Sequence, residues 1–318
     1  MKVLVTGAAG FIGYHVCKLL QARGDDLVGI DNLNDYYDPS LKLARLASLG
    51  EDFHFEKIDI ADFSALSDLF RREGFDAVIN LAAQAGVRYS LENPQAYVSS
   101  NLDGFVNILE CCRHFPVRHL VYASSSSVYG NNSKIPFEES DCVDHPQSLY
   151  AATKKANELL ASCYNNLYSI PATGLRFFTV YGPWGRPDMA PMIFAKAILA
   201  GDKIRVFNNG NMLRDFTYIS DIASAVVAVL DKVPKGHEVY NIGCSNPVNL
   251  MDFISSMEKA LGKAAQLDFC PMQAGDVVAT YASCAKLKRD FGYKPQVQLA
   301  QGLQLFVEWY ISDNNPIK

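Results

Sequence analysis

The chain has 318 residues, 49% hydrophobic and 20% charged, with 21 glycines and 14 prolines; this balance excludes disorder, collagen and coiled coil and is enough for one large or two smaller cores. Its formal charge of −5, with Lys and Arg scattered along the chain, provides no basic stripe for a nucleic acid. Eight cysteines, at 17, 111, 112, 142, 163, 244, 270 and 284, form no C-x-x-C and no zinc-like spacing with histidine, so reduced, mostly buried thiols and no metal centre are expected.

Met1 leads directly into the strand-like Lys2 to Thr6, with no charged leader. In chain order Val3–Thr6, Leu27–Ile30, Phe53–Ile58, Ala77–Leu81 and His119–Ala123 are short apolar runs that read as strands. Gly13–Arg23, Phe63–Glu73 and Asn101–His114 carry apolar residues at three- and four-residue spacing and read as helices. The alternation predicts right-handed βαβ units, an α/β fold with a doubly wound parallel sheet of Rossmann type. After about residue 178 the rhythm breaks, and Pro183, Gly185, Pro187 and Pro191 crowd one loop. Phe216–Leu230 then reads as a helix and Val239–Gly243 as a strand. The predicted division is a larger domain over 1–177, rejoined by about 215–245, and a smaller C-terminal substrate domain from 178–214 and 246–318. The longest clean apolar run, Ile222–Leu230, is too short to span a bilayer, so a soluble cytoplasmic protein with no membrane partner is expected.

Thr6-Gly7-Ala8-Ala9-Gly10-Phe11-Ile12-Gly13 closes the first strand and opens the first helix. Glycine at these places allows a tight turn, close approach of backbone to a pyrophosphate and close helix–strand packing, with the helix N-terminus facing the anion. The second strand ends at Asp31, 18 residues after Gly13, where a carboxylate accepts hydrogen bonds from an adenosine ribose. It would repel a 2′-phosphate, and Asn32-Leu33-Asn34 supply no arginine, so NAD is favoured over NADP. Tyr150 and Lys154 stand four apart and stack on one helix face, where the ammonium favours tyrosinate and the phenol can act as general base. Upstream, Ala123-Ser124-Ser125-Ser126-Ser127 ends a strand, the end at which a parallel sheet places its chemistry.

The G-x-x-G-x-x-G spacing, the serine run and the Tyr150/Lys154 pair together resemble the extended short-chain dehydrogenase/reductase superfamily, in its NAD-dependent epimerase/dehydratase branch. The resemblance implies Ser125, Tyr150 and Lys154 as a catalytic triad, with Lys154 also holding the nicotinamide ribose. It implies NAD contacts at Gly7, Gly10, Phe11, Ile12, Gly13, Asp31 and Asn32, at Asp59 and Ile60 by the adenine, at Leu81, Ala82 and Ala83 by the nicotinamide, and at Asn101 and Phe177. The stretch from Val206 to Ile219 resembles the nucleotide-sugar epimerases, which implies Phe207 against a uracil and Arg214 bridging a diphosphate.

Related 4,6-dehydratases carry an Asp-Glu pair where this chain has Ser126-Ser127, and glucuronate decarboxylases a Glu in place of Ser127; with hydroxyls at both positions, C4 epimerisation remains. Asn34–Leu46 and Gly185–Ala190 resemble the UDP-glucuronate 4-epimerases. Ser125, Ser126, Ser127 and Thr179 can donate to a sugar carboxylate, with Arg186 close by; Arg88 is a candidate for carboxylate or phosphate contact, or for a salt bridge at a helix cap. The turn Gln273-Ala274-Gly275-Asp276-Val277 is similar to the family's substrate-side loop, which makes Asp276 a substrate contact. It has Ala274 where Pro is usual and lacks the arginine of UDP-galactose enzymes, so phosphate grip leans on Arg214. The activity implied is NAD-dependent conversion of UDP-glucuronate to UDP-galacturonate through a 4-keto sugar. A UDP-glucose or UDP-N-acetylhexosamine 4-epimerase, and a non-catalytic NAD-binding regulator, are the competing readings. The superfamily resemblance also implies a homodimer through the helices near 101–114 and 150–166.

Overall fold

In the computed structural model, residues 1–272 and 278–318 are described, so the turn 273–277, with Asp276, lies outside the described residues. Six strands of the first 177 residues, β1 (Lys2–Thr6), β2 (Asp26–Asp31), β3 (His54–Lys57), β4 (Ala77–Asn80), β5 (His119–Ser125) and β6 (Ala172–Phe177), join His237–Ile242 in one seven-stranded sheet. All neighbours are parallel, in the order His237–Ile242, β6, β5, β4, β1, β2, β3. β1 illustrates why such runs are continuously apolar: Val3 and Val5 belong to the core layer of helix α1 (Phe11–Arg23), while Leu4 belongs to the opposite layer with Leu66, Phe70 and Ile108. Both faces are covered, so both sets of alternating side chains are buried. From β1 the chain builds outward to β2 and β3, then returns to build the other side from β4. The strand order therefore reverses between β1 and β4, and a crevice opens at their C-terminal ends.

Two predicted elements differ. Phe216–Leu230 is not all helix: Phe216–Tyr218 is a strand paired in parallel with Thr179–Tyr181, and the helix runs over Ile219–Asp231. Backbone pairing with a distant segment overrides the local periodicity there. The pattern over Asn101–His114 also divides, because Val98–Asp103 is a wider π-type turn that feeds the α-helix Gly104–His114.

Beyond the sheet, Lys203–Val206 pairs with Gln266–Phe269, and Leu213–Arg214 lies between Val248–Asn249 and Ala279–Thr280. Helices Ala190–Ala200 and Leu250–Leu261 pack on these short sheets, and Leu299–Ile311 packs on Leu250–Leu261 and on Phe216–Tyr218. The core layer of α1 continues without a break into this part, through Tyr181, Phe194, Phe253 and Phe306. Four of the eight free cysteines are buried, Cys142 and Cys163 are exposed, and Cys244 and Cys270 are intermediate. No helix among the described residues is long and apolar enough to cross a membrane.

Candidate active site

The switch-point crevice is closed on one side by the glycine loop. Thr6 Oγ1 donates to Asn80 Oδ1 (2.6 Å) and accepts from Ala82 N (3.0 Å), which locks the ends of β1 and β4 together. Gly7 has φ +69, and a Cβ there would stand 2.8 Å from the backbone nitrogen of Ala82. A Cβ on Gly13 would come within 2.1 Å of the Gly7 carbonyl oxygen, so helix and loop can meet only without one. α1 has Gly10 as its N-cap, with no side-chain cap bond and no acidic residue in the first turn, leaving its N–H groups and positive dipole end directed at the pocket. The cradle fits a dinucleotide pyrophosphate, since loop and helix meet without side chains and the helix N-terminus faces the pocket.

Asp31 ends β2, buried, with Oδ1 accepting from Leu33 N (2.8 Å) and from Lys42 Nζ (3.3 Å). Lys42, on helix α2 (Pro39–Ser48), also donates to Asn34 Oδ1 (3.1 Å). Asn32-Leu33-Asn34 supply no arginine; the structure brings a lysine from the next helix, and its charge is balanced by Asp31 itself. Asp59 accepts from Asn32 Nδ2 and Ala61 N, both at 2.9 Å, and lines the same pocket with Ile60, Leu81, Ala82 and Ala83. Asn101, grouped with the NAD contacts, does not line it. Its buried amide accepts from Gln84 N (2.9 Å) and donates to Gln84 O and Thr153 Oγ1 (both 3.0 Å), so it fastens the wall of the pocket to the helix behind.

The opposite wall is the end of β5. Ser124 donates to Glu158 (2.6 Å), and Glu158 takes two 2.8 Å bonds from Arg176, a buried pair that ties the strand end to helix Leu149–Tyr168. Ser148 caps that helix by accepting from Ala151 N (3.1 Å), which places Tyr150 in the first turn and Lys154 one turn later, both lining the pocket. Ser125 Oγ donates to Ser127 Oγ and accepts from Ser127 N, both at 3.2 Å. Burial pushes the Tyr150 phenol up, against a hydrogen bond with Ser125 and the charge of Arg186, which hold it down. The ammonium of Lys154 donates to Ala123 O (3.0 Å), and Ser125 and Arg186 join it as groups that favour tyrosinate.

Burial alone lowers Lys154 from 10.5 to about 8. Between those values the unfolded chain binds one proton more than the folded chain, so stability rises with pH over the window from about 8 to 10.5. Lys154→Met is expected to remove that rise, of up to about 3 kcal/mol, as the difference between wild-type and variant urea denaturation curves across the window. Parallel curves for the two proteins would refute the assignment.

Phe177, Thr179 and Arg186 line the same pocket as Ser125, Ser126 and Ser127. Arg186 grips Asp188 with two bonds, Nε to Oδ1 (3.0 Å) and Nη2 to Oδ2 (2.5 Å), and Tyr36 donates to the same carboxylate (3.1 Å). Phe207, Arg88 and Arg214 are not in this wall. Arg88, expected at a carboxylate or phosphate or in a salt bridge at a helix cap, stands at the start of helix Tyr89–Glu92 and lies 5.3 Å over the Phe207 ring, and Arg205 lies 5.0 Å from that ring. Arg214 donates to Leu213 O (2.9 Å) and Val278 O (3.2 Å), and its neighbour Asp215 is a buried knot that accepts from Cys244 N, Ser245 N and Ala282 N (2.7, 2.9 and 3.2 Å). Within the stretches that carry the resemblance nothing singles out Tyr36, Lys42 or Asp215, and Gln84 lies outside them, because residue type does not say which partner folds against a side chain. The acidic cluster His54, Glu56 and Glu73 lies on the surface, where Arg72 and Lys2 bind its carboxylates.

A glycine cradle at the switch point, an acid ending β2 and a Tyr-Lys helix beside a hydroxyl-rich strand end define a dinucleotide-dependent enzyme of the extended short-chain dehydrogenase fold. The chain belongs to the NAD dependent epimerase/dehydratase family, whose sequence model matches residues 3–243. Protein CapI of Staphylococcus aureus is 50% identical over 329 aligned residues, 98% of each chain. UDP-glucuronate 4-epimerase 4 of Arabidopsis thaliana is 50% identical over 330, 98% of this chain and 76% of that one. The crystal structure of UDP-glucuronic acid 4-epimerase from Bacillus cereus in complex with UDP-glucuronic acid and NAD superposes with a TM-score of 0.92 at 37% identity, covering 97% of this chain and 98% of that one.

Proposed function

We propose that this protein epimerises UDP-glucuronate at C4 to UDP-galacturonate, with NAD as a resident cofactor. The observation that carries this reading is the hydroxyl set Ser125, Ser126, Ser127 and Thr179 facing the same pocket as Tyr150 and Lys154. The relatives named UDP-glucuronate 4-epimerase, at half identity over nearly the whole chain, support it. The glycine loop and the N-terminus of α1 would hold the pyrophosphate, Asp31 the adenosine ribose, Asp59 and Ile60 the adenine, and Lys154 the nicotinamide ribose. When bound, NAD accepts a hydride from C4 and returns it. Tyr150 takes the proton of the 4-hydroxyl, and Ser125 and Arg186 steady the phenolate that does so. The 4-keto sugar turns over within the pocket and recovers that proton from Tyr150 on its other face.

A 4-keto uronate is a β-keto acid and readily loses carbon dioxide. Neutral hydroxyls holding the carboxylate suppress this loss, and the charge of Arg186 is balanced by Asp188. Ser127→Glu is therefore expected to raise leakage to a UDP-pentose at least ~10-fold, by placing a carboxyl where it can assist the loss. An unchanged product ratio by NMR would remove the argument.

The reading as a whole is tested by incubating purified protein with UDP-glucuronate and following the anomeric proton signals. Growth of UDP-galacturonate without stoichiometric NADH is expected; turnover of UDP-glucose alone would move the assignment to the neutral sugar. We assign residues 1–177 with 215–245 to NAD and the remainder to the nucleotide sugar. We further assign a cytoplasmic homodimer, joined through helices Gly104–His114 and Leu149–Tyr168; the exposed Leu159 and Leu167 on the second helix support it. A monomer at micromolar concentration in sedimentation would exclude that pairing.

A further inference from the structure

Arg45, on α2, has no exposed surface, and its guanidinium joins segments far apart in the chain. Nη1 donates to Ala9 O in the glycine loop and to the Tyr37 hydroxyl, both at 2.8 Å. Nη2 donates to Trp184 O (2.6 Å) and Gly185 O (3.4 Å), immediately before Arg186. Every acceptor is a carbonyl or a hydroxyl, and Nε has no partner. A cation buried in this way is costly to the fold, by several kcal/mol before its hydrogen bonds are counted. Only a planar fork can reach both loops at once; an ammonium has one centre from which to donate.

The loop it grips is otherwise strained. Trp184 has φ +64, a left-handed conformation unusual for a bulky residue. It is held there by Arg45, by ring contacts with Tyr14 (5.5 Å) and Trp309 (5.3 Å), and by His15, whose ring bonds Pro183 O at 3.0 Å. Burial holds that imidazole down, to about 4, so it is neutral and donates to the carbonyl.

We propose that Arg45 is a positioning residue for the reaction: it fastens the loop carrying Arg186 to the loop that cradles the dinucleotide, so that the two walls of the pocket hold one spacing. The proposal rests on reading Arg186 as a substrate-side group. The chain's strained backbone at Trp184 is thereby kept in the posture that brings Arg186 toward Tyr150.

Arg45→Lys keeps the charge and loses the fork. In the NAD-loaded variant, amide exchange at Trp184, Gly185, Arg186 and Asp188 is expected to quicken at least ~10-fold relative to Leu120–Ala123 in β5. The KM for UDP-glucuronate should rise by about tenfold with kcat changed less than about threefold, the pattern of lost positioning in binding. A folded variant whose loop exchange and KM both match wild type overturns the proposal, whatever its melting temperature, because a merely structural arginine would lower the Tm and leave these two readouts alone. If the lysine variant does not fold, Tyr37→Phe removes one acceptor of the same guanidinium. It should quicken exchange at the same four amides by roughly threefold, and unaltered exchange there overturns the proposal equally. Exchange is read without sugar nucleotide, so a failure of the UDP-glucuronate reading would spoil the KM result and leave the exchange result standing.

Discussion

Tyr150→Phe is expected to lower kcat for UDP-glucuronate by ~10³-fold or more, within the usual range for losing a positioned general base. The hydroxyl is the group in reach of both Ser125 and the field of Arg186, and phenylalanine keeps the ring, including its edge contact with Tyr97 at 6.1 Å. The fold should therefore survive, with NAD content and Tm close to wild type. Because burial raises the phenol, wild-type activity should fall away toward low pH as Tyr150 is protonated. A phenylalanine variant with more than about a tenth of wild-type turnover would mean that another group takes the proton; Lys154 is the neighbour to test next.

Gly13→Ala is expected to strip the protein of its cofactor. The added Cβ would stand 2.1 Å from Gly7 O and 2.8 Å from Gly7 C, both backbone atoms that cannot rotate aside. Either the loop lifts, which destroys the cradle, or α1 withdraws, which removes its N-terminus from the pyrophosphate. Overpacking of this kind costs about 1–3 kcal/mol, which a chain of this size can absorb while staying folded. The measurable result is purified protein with native circular dichroism and less than about a tenth of the NAD found in wild type. A variant that co-purifies with full NAD would show that the loop does not hold the dinucleotide.

Legibility in the sequence followed the range of the interaction. Strands β1, β2, β4 and β5 were visible because a doubly covered strand must be apolar at successive positions. Tyr150 and Lys154 could be paired because helical geometry alone puts positions four apart on one face. Ser125 and Thr179 were harder: each is common in type, and only the resemblance singled them out. Asn101 carries no local sign of its task, since an amide that lines a pocket and one that braces it from behind are alike as letters. Phe207 is expected at a ligand, and Arg88 at a ligand or in a salt bridge at a helix cap; the structure sets Arg88 at the start of helix Tyr89–Glu92 and over the Phe207 ring. The helix expected from Phe216 lost its first turn to a strand because Thr179–Tyr181 offers it hydrogen bonds, a partner more than thirty residues away.

By itself the sequence determined the glycine loop with Asp31 beyond it, the Tyr-Lys pair and the hydroxyls ending β5, all of them features whose geometry is set within one loop, one helix or one strand. Tertiary structure decided what surrounds them: Lys42 on Asp31, Asp188 on Arg186, Asp215 beneath the strand of Arg214, and Arg45 between two loops. Local spacing follows from covalent geometry and helical or strand period, so it can be read along the chain. The charge on a buried group depends on which distant backbone folds over it and which counter-charge arrives with that backbone, and only the packed molecule specifies both.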